Sequence, residues 1–250
     1  MADSTTTEPS TTPTSDAAPA TEGLSPSTRA KTALALDVDD LVSANRLARQ
    51  LAPWFGVVKI GLELYTAAGP DAIGAMVDQG YDVFLDLKLH DIPTTVGKAS
   101  SVAGALGVSY LTMHAHGGPA MLRAGVEGFK EGALKAGLPE PTALAITVLT
   151  SDTDAPDHIV PNRLRVAVEA GCGGIVCAAS DLRDIREMAP RIKRVVPGIR
   201  AADGDRHDQP KAVTPAIALE SGADLIVVGR AVTLAQDPEA AAAVLFAGLE

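Results

Sequence analysis

The segment FLDLKLHDIPTTV, residues 84–96, carries the strongest structural signal in this chain. Its first part is an apolar strand pattern, and Asp86 and Lys88 lie near the end of that strand. Residues two apart on a strand point to the same face of the sheet, so these side chains project side by side. Charged side chains are almost never buried unless they are paired or functional. We therefore interpret the pair, together with Asp91 in the turn that follows, as part of a catalytic array.

A second short apolar strand, VVKIG at residues 57–61, carries Lys59 in its middle. With the residues above, this lysine gives an array of two lysines and two aspartates. The alternative interpretation is a buried salt-bridge network that only holds the strands together. Desolvation offsets most of the attraction between buried ions, so such networks rarely contribute net stability. A catalytic role for all four residues is therefore favoured.

From Lys31 onward, short β-rich runs alternate with longer helical patterns, which predicts βαβ units and a parallel sheet. Strands are predicted at residues 32–37, 56–61, 81–89, 109–115, 142–150, 174–179, 193–199 and 224–230. Helices are predicted at residues 41–53, 70–79, 94–106, 118–136, 161–170, 181–189, 212–221 and 238–248. This strict alternation is typical of a (β/α)8 TIM barrel, a fold of the α/β class. A doubly wound open sheet is the alternative, but it would usually show a glycine fingerprint after its first strand, and LALDVDDLV has none.

The amino-acid composition indicates how the chain is divided into domains and which functions it disfavours. Residues 1–28 are rich in Thr, Ser and Pro and hold too little apolar surface to offset the entropy of ordering. We expect a disordered tail there, without the pattern of a secretory signal, and a single barrel domain over residues 29–250. The net charge of −10 argues against binding to nucleic acid or to an anionic membrane. Two cysteines, Cys172 and Cys177, form no disulfide framework, and this usage suits a reducing cytoplasm.

Polar residues gather where the predicted strands end, which is where barrel enzymes place their functional groups. Asp37 ends the first strand, and Thr150 and Ser151 close the fifth. His114 and His116 end the fourth strand. Two imidazoles without an obvious third ligand are weak evidence for a metal, so no metal site is predicted. The clustering favours a substrate site on the C-terminal face of the barrel.

Two turns, VVPGIR at residues 195–200 and VVGRAVT at 227–233, predict a phosphate site after strands seven and eight. Barrels frequently bind phosphate there with exposed backbone N–H groups and a helix N-terminus. Arg230 adds a charge-assisted contact. The polar loop at 201–215 has two interpretations, a functional lid or an ordinary connecting loop. The alternative, in which the glycines only permit tight turns and the arginines are solvated, stays open.

From about residue 32 to 248, the chain resembles the orotidine 5′-phosphate decarboxylase family. The matching pieces, in the family's order, are LALDV, VVKIGLEL, FLDLKLHDIPTTV, LTMHAHGG, TVLTS, VVPGIR with the GD and DQ pairs, and TPAIALESGADLIVVGRAVT. One departure is QPKAVTP, where an arginine is more usual at Lys211 and Pro210 is uncommon. This departure affects the expected geometry of the phosphate loop.

The resemblance implies a reaction as well as a fold. It implies decarboxylation of orotidine 5′-phosphate to UMP and CO2, the last step of de novo UMP synthesis, with no metal and no cofactor. Lys88 would protonate carbon C6 of the pyrimidine. The resemblance also implies a homodimer with its active sites near the subunit interface, and we expect it to be cytoplasmic.

A role for each candidate residue follows from the same resemblance. The catalytic residues implied are Lys59, Asp86 and Lys88 of one subunit and Asp91 of the other, with Ile92 and Thr95 beside it. The substrate contacts implied are Asp37 and Lys59 at the ribose, Ser151 and the adjoining Thr150 at the pyrimidine, and Gln209, Gly229, Arg230, Pro197, Gly198 and Arg200 at or near the phosphate.

Two rival functions stay open. Related barrels that decarboxylate keto-gulonate phosphate, or make hexulose phosphate, share the aspartate-lysine-aspartate pattern but use Mg²⁺ held partly by a glutamate on strand two. Here that strand presents Lys59, which disfavours the Mg²⁺-dependent lyase or aldolase. A non-catalytic barrel that binds a phosphate ligand is the third hypothesis. A pure binder has no use for Asp86 facing an anionic ligand, so the metal-free decarboxylase is favoured.

Overall fold

The computed structural model describes residues 23–149, 152, 156, 158–201 and 213–249. Its eight strands are parallel, follow one another in sequence order and close through pairing of the first with the eighth. The predicted (β/α)8 barrel is therefore confirmed, and the open-sheet alternative is wrong. In the described part of the chain, every helix is too short or too polar to cross a lipid bilayer.

The strands and helices have the following bounds. The strands are β1 (Thr32–Ala35), β2 (Val57–Ile60), β3 (Asp82–Leu89), β4 (Val108–His114), β5 (Thr142–Ile146), β6 (Gly174–Val176), β7 (Lys193–Val196) and β8 (Leu225–Val228). The helices are α1 (Pro26–Arg29), α2 (Leu41–Leu51), α3 (Leu62–Ala68), α4 (Pro70–Val77), α5 (Pro93–Ala105), α6 (Gly118–Lys135), α7 (Ile159–Glu169), α8 (Leu182–Met188), α9 (Pro215–Glu220), α10 (Arg230–Thr233) and α11 (Pro238–Leu245). Short 3-10 helices, Ala115–Gly117 and Ala179–Asp181, precede α6 and α8.

All eight predicted strands are present, but most end earlier than the sequence pattern indicates. The largest difference is in β5, which is predicted to reach residue 150 and ends at Ile146. The helices α3 and α10 are absent from the sequence prediction. α3 is short because Gly69 adopts a φ of 57° and Pro70 begins the next helix. α10 occupies residues that the pattern assigns to the end of the last strand and the turn after it.

The helix α1 lies within the segment that composition assigns to the tail. Leu24 donates its backbone N–H to the Pro53 carbonyl at 3.0 Å, and its side chain packs against the core. α1 follows directly, so residues 23–28 belong to the folded barrel.

The strands alternate between two apolar environments. One set of side chains fills the barrel interior and is at most 8% exposed: Ala33, Ala35, Val57, Phe84, Leu144, Val195, Leu225 and Val227. Their sequence neighbours, such as Leu34 and Val58, face the core beneath the helices. Because alternate residues share a face, Lys59 and Asp86, further along β2 and β3, also face the interior at its C-terminal end. The charged residues thus lie above a closed apolar floor.

The helices α5 and α6 pack backbone to backbone through glycines. A Cβ added to Gly128 would collide with the Gly97 carbonyl, and one added to Gly132 would collide with the Ser101 carbonyl. Because no side chain separates the helices at these points, neither backbone has room to adjust. α5 begins shortly after Asp91, so this packing also fixes the segment that carries that carboxylate.

We predict that Gly132→Ala destabilises the barrel, because the added methyl group meets the Ser101 carbonyl. Overpacking of this kind costs about 1–3 kcal/mol, and each kcal/mol lowers the Tm of a domain of this size by about 2–4 °C. The matched control is Gly74→Ala in α4, where a Cβ meets nothing within 4 Å. There alanine is favoured over glycine by about 0.5–1 kcal/mol. Thermal unfolding followed by circular dichroism tests this, and equal Tm values for the two variants would contradict it.

Candidate active site

A cavity opens at the C-terminal end of the barrel, above the apolar floor. It encloses about 860 Å³, including its open mouth, and Phe84, Ile146 and Val176 contribute to its apolar wall. The sequence-predicted residues that line it are Asp37, Lys59, Asp86, Lys88, Pro197, Gly198, Arg200, Gly229 and Arg230. Side chains and turns from distant parts of the sequence therefore meet in one place.

The first ion pair of the site joins the ends of β1 and β2. Lys59 Nζ lies 2.7 Å from Asp37 Oδ1. The Lys59 side chain is 12% exposed and the Asp37 side chain is 48% exposed, so the pair extends from the wall towards the mouth of the cavity. Gly61 leaves space for it, because a Cβ there would lie 3.1 Å from both charged atoms.

The second ion pair lies within β3. Lys88 Nζ is 2.7 Å from Asp86 Oδ2, and the two side chains are 31% and 14% exposed. The other carboxylate oxygen, Oδ1, accepts a hydrogen bond from Thr112 Oγ1 at 2.9 Å. Each oxygen of this carboxylate thus has its own donor, and the two donors fix its orientation at the cavity wall.

The backbone of Lys88 is strained. Its φ of 50° makes it the one non-glycine residue with positive φ in the described part of the chain. Residues other than glycine rarely adopt this backbone conformation, which costs on the order of 1–3 kcal/mol. The Lys88 N–H donates to Thr112 Oγ1 at 2.9 Å instead of to a strand carbonyl. Strain of this kind persists only where the surroundings hold it, and it clusters at functional sites.

The segment after β3 lies outside the cavity of its own chain. Asp91, Ile92 and Thr95 are exposed and do not line the cavity. Asp91 Oδ1 accepts the backbone N–H of Ile92 at 2.6 Å, and Ile92 itself is 65% exposed. The structure therefore does not bring Asp91 to the other charged residues of the same chain. A role in the site of a neighbouring subunit stays a prediction.

The opposite side of the cavity is formed by the turns after β7 and β8. Gly198 adopts a φ of 80°, and Arg200 is only 5% exposed, with its Nη1 donating to the Ile199 carbonyl at 2.7 Å. Gly229 precedes α10, whose first residue is the half-buried Arg230. The alternative in which both arginines are solvated is thus wrong for Arg200. Two guanidinium groups and two glycine turns give this side of the cavity a cationic character.

Several predicted residues lie outside the described residues. They are Thr150, Ser151, Gln209, Pro210 and Lys211. The chain just after β5, which leads to Thr150 and Ser151, is held by two hydrogen bonds. The Thr147 hydroxyl donates to the Val176 carbonyl at 3.0 Å, and Arg163 donates to the Thr147 carbonyl. At the far end of the 201–215 loop, Val213 pairs with Ile199 next to Arg200.

Known proteins share this barrel and its sequence. A sequence profile of the Orotidine 5'-phosphate decarboxylase / HUMPS family matches residues 31–245. The chain belongs to this family.

Individual relatives cover almost the whole barrel. Orotidine 5'-phosphate decarboxylase of Moorella thermoacetica is 42% identical over 232 residues, which are 88% of this chain and 92% of that protein. The enzyme of the same name from Anaeromyxobacter sp. strain K is 44% identical over 226 residues, 86% and 96% of the two chains. A crystal structure of orotidine 5'-phosphate decarboxylase from Lactobacillus acidophilus matches with a TM-score of 0.71 at 35% identity, covering 84% of this chain and 95% of that one. The chain is therefore an enzyme of this family.

Two residues of the site are absent from the sequence prediction. Thr112 lies inside the fourth strand, and only the pairing of β3 with β4 shows that it contacts Asp86 and Lys88. Its one sequence signal is a hydroxyl in a largely apolar strand, which is too common to identify a site. Gly61 follows the second strand and looks like an ordinary turn residue until the ion pair beside it is seen.

Three histidines lie beside Lys88. The His90 ring is 5.8 Å from the His114 ring and 5.6 Å from the His116 ring, measured between centroids. Burial lowers the pKa of His114 below its ordinary value, and the electrostatic influence of His90 and Lys88 lowers it further. Among the residues that the structure describes, no group of three or more metal-ligating side chains is arranged to hold an ion.

Proposed function

We propose that this enzyme decarboxylates orotidine 5′-phosphate to UMP and CO2, the last step of de novo UMP synthesis, without a metal or an organic cofactor. The observation that carries the proposal is the Lys88–Asp86 ion pair, held at 2.7 Å on the wall of a cavity whose other side is cationic. A nucleotide has a phosphate for the cationic side and a pyrimidine for the wall. The names of the relatives support the same reaction.

The polar groups of the cavity suit the parts of a nucleotide in order. Arg200 and Arg230, with the backbone at Gly198 and Gly229, suit the phosphate, because guanidinium groups and exposed N–H groups bind it strongly. The Asp37–Lys59 pair near the mouth suits the ribose hydroxyls, since it offers both an acceptor and a donor. Thr150 and Ser151 follow β5, and we propose that they contact the pyrimidine amide, with Gln209 between phosphate and ring.

The chemical step requires stabilisation of an electron pair at carbon C6. When the bond between C6 and the carboxylate carbon breaks, CO2 leaves and the pair stays on C6. The Lys88 ammonium places a positive charge beside that carbon and then transfers one proton from Nζ to it, which gives UMP. Preorganised charge and general acid catalysis act together in this step. The apolar wall strengthens both, because charges interact more strongly where water is excluded.

Asp86 contributes in a second way. Its carboxylate is fixed by two donors, and we propose that the substrate carboxylate binds close to it. Two like charges about 4 Å apart repel each other by about 4 kcal/mol at an effective dielectric constant of 20. Loss of neutral CO2 removes that repulsion, so the arrangement favours the product side of the reaction.

We also propose that the active form is a homodimer. Asp91, Ile92 and Thr95 are exposed and do not line the cavity of their own chain, so their side chains are available to a neighbouring subunit. Among the described residues of its own chain, Lys88 has one carboxylate partner. An aspartate from a second subunit would complete the array of two lysines and two aspartates.

A cytoplasmic location is proposed from the cysteines. Cys172 and Cys177 are both free and buried, and burial raises the pKa of each thiol to about 12. They therefore stay protonated and behave as small core residues. Unpaired cysteines are typical of proteins that work in a reducing compartment.

The Mg²⁺-dependent branch of the family is disfavoured by one contact. Asp37, an oxygen donor that a cation near β1 and β2 would use, is already neutralised by Lys59 at 2.7 Å. A lysine ammonium and Mg²⁺ repel each other, so both cannot occupy this position.

We predict that the purified chain converts orotidine 5′-phosphate to UMP at the same rate with and without EDTA, because the charge at C6 is stabilised by Lys88. The measurement is the loss of ultraviolet absorbance as the substrate is consumed. Activity that disappears in EDTA and returns with Mg²⁺ would place the enzyme on the sugar-phosphate branch. No turnover under either condition would reject the proposed substrate.

Lys88→Ala should lower kcat by about 10³-fold or more, since it removes both the ammonium and the proton donor. The matched control is Lys135→Ala in α6, which removes an exposed lysine paired with Glu131 on the helix surface. This control should keep the kcat of the wild type. Both variants should unfold at similar temperatures. Near wild-type turnover by Lys88→Ala would end the proposed mechanism.

Arg230→Ala should weaken the binding of UMP by about 10- to 100-fold, because a charge-assisted contact to phosphate contributes about 1.5–3 kcal/mol. Binding of uridine, which lacks the phosphate, should not change. Isothermal titration calorimetry with both ligands separates the two cases. An equal loss of affinity for UMP and uridine would show that Arg230 does not act on the phosphate.

A further inference from the structure

We propose that Thr112 is a positioning residue of this enzyme: its hydroxyl holds Asp86 and the strained backbone of Lys88 in the geometry that the proposed decarboxylation uses. The inference rests on the proposed function for its kinetic consequence. Its geometric content stands on the contacts of the residue itself.

The pairing of β3 with β4 shows why a residue is needed here. Leu85 pairs with Leu111 and Leu89 pairs with Met113. Between these pairs, three residues of β3 stand opposite the single residue Thr112. A bulge of this size interrupts the ladder and leaves backbone groups of the longer strand without strand partners.

The hydroxyl of Thr112 replaces the missing ladder bonds. It accepts the N–H of Lys88 at 2.9 Å and donates its own proton to Asp86 Oδ1 at 2.9 Å. A threonine hydroxyl has one donor and two acceptor positions, so it can make both bonds at once. With the 2.7 Å bond from Lys88 Nζ to Asp86 Oδ2, the three residues form a closed ring of hydrogen bonds.

Thr112 is buried, so its two partners depend on this one hydroxyl. Thr112 is 0% exposed and is not among the residues that line the cavity, so it reaches the substrate only through its two partners. Water has no access to replace the hydroxyl. The backbone N–H of Lys88, at a φ of 50°, therefore depends on Thr112 as its hydrogen-bond acceptor. The Asp86 carboxylate depends on Thr112 for its orientation, in which Oδ2 accepts from the Lys88 ammonium.

The test compares substitutions that keep or remove the hydroxyl. Thr112→Val is nearly isosteric and loses both hydrogen bonds, whereas Thr112→Ser keeps both. We expect Thr112→Val to lower kcat by about 10- to 100-fold, since a displacement near 1 Å can cost that much. The Kd for UMP should stay within about threefold, because the phosphate and ribose contacts are intact. Thr112→Ser should restore kcat to within about threefold of the wild type, because it restores the geometry.

The matched control is Thr32→Val. Thr32 is also buried on a barrel strand, and its hydroxyl can donate its proton to either of two carbonyl oxygens, that of Trp54 at 2.6 Å or that of Arg29 at 2.8 Å. It lies at the opposite end of the barrel from the cavity. This variant should lose thermal stability and keep kcat. If Thr32→Val and Thr112→Val lowered kcat equally, or if kcat of Thr112→Val equalled that of the wild type, the positioning role would be rejected.

A substrate-free measurement separates this inference from the proposed function. Hydrogen exchange of the Lys88 amide should become faster in Thr112→Val and stay slow in Thr112→Ser and Thr32→Val. An unchanged exchange rate in Thr112→Val would reject the inference even if the wild type decarboxylates orotidine 5′-phosphate. Fast exchange in an enzyme that does not turn over this substrate would reject the proposed function alone. If Thr112→Val does not fold, Thr112→Cys, whose thiol is a weak donor and acceptor, replaces it and should show the same two changes in smaller measure.

Discussion

The site depends on a break in the hydrogen bonding of the barrel between β3 and β4. A regular ladder would use the Lys88 amide for strand pairing, whereas here a bulge releases it to a side-chain hydroxyl. The ion pair between Lys88 and Asp86 is built on that released backbone. The closed barrel makes this tolerable, because the six other strands and the surrounding helices hold the ends of β3 and β4 in place. The closed barrel and the irregular strand β3 together hold Lys88 and Asp86 in contact.

The ion pairs and the arginines lie on different sides of the same cavity. The lysine–aspartate pairs lie on β2 and β3 and just after β1, and the two arginines follow β7 and β8. Because the phosphate of a nucleotide lies several bonds from its base, this separation suits a ligand that reaches both sides. Binding energy from the phosphate can then be used to hold the base against a strained and partly desolvated wall.

The sequence predicts the fold well because its signals are local. Eight alternations of strand and helix, and polar residues at the strand ends, are visible without tertiary information, and so are Asp37, Lys59, Asp86 and Lys88. Thr112 and Gly61 are not visible, since their importance comes from a bulge and from a close approach that only pairing reveals. The contact between α5 and α6 is hidden for the same reason. Composition predicts a tail that includes Leu24, because composition averages over a window and does not register one anchoring side chain.

The apolar floor of the barrel has a consequence for turnover. Ala33, Val57, Leu144 and their neighbours close the interior below the charged residues, so no water reaches Lys88 from beneath. In the proposed mechanism, the amine regains a proton after each cycle through the same opening that would admit the nucleotide and release CO2. Under that proposal, departure of the product and reprotonation of Lys88 share one route.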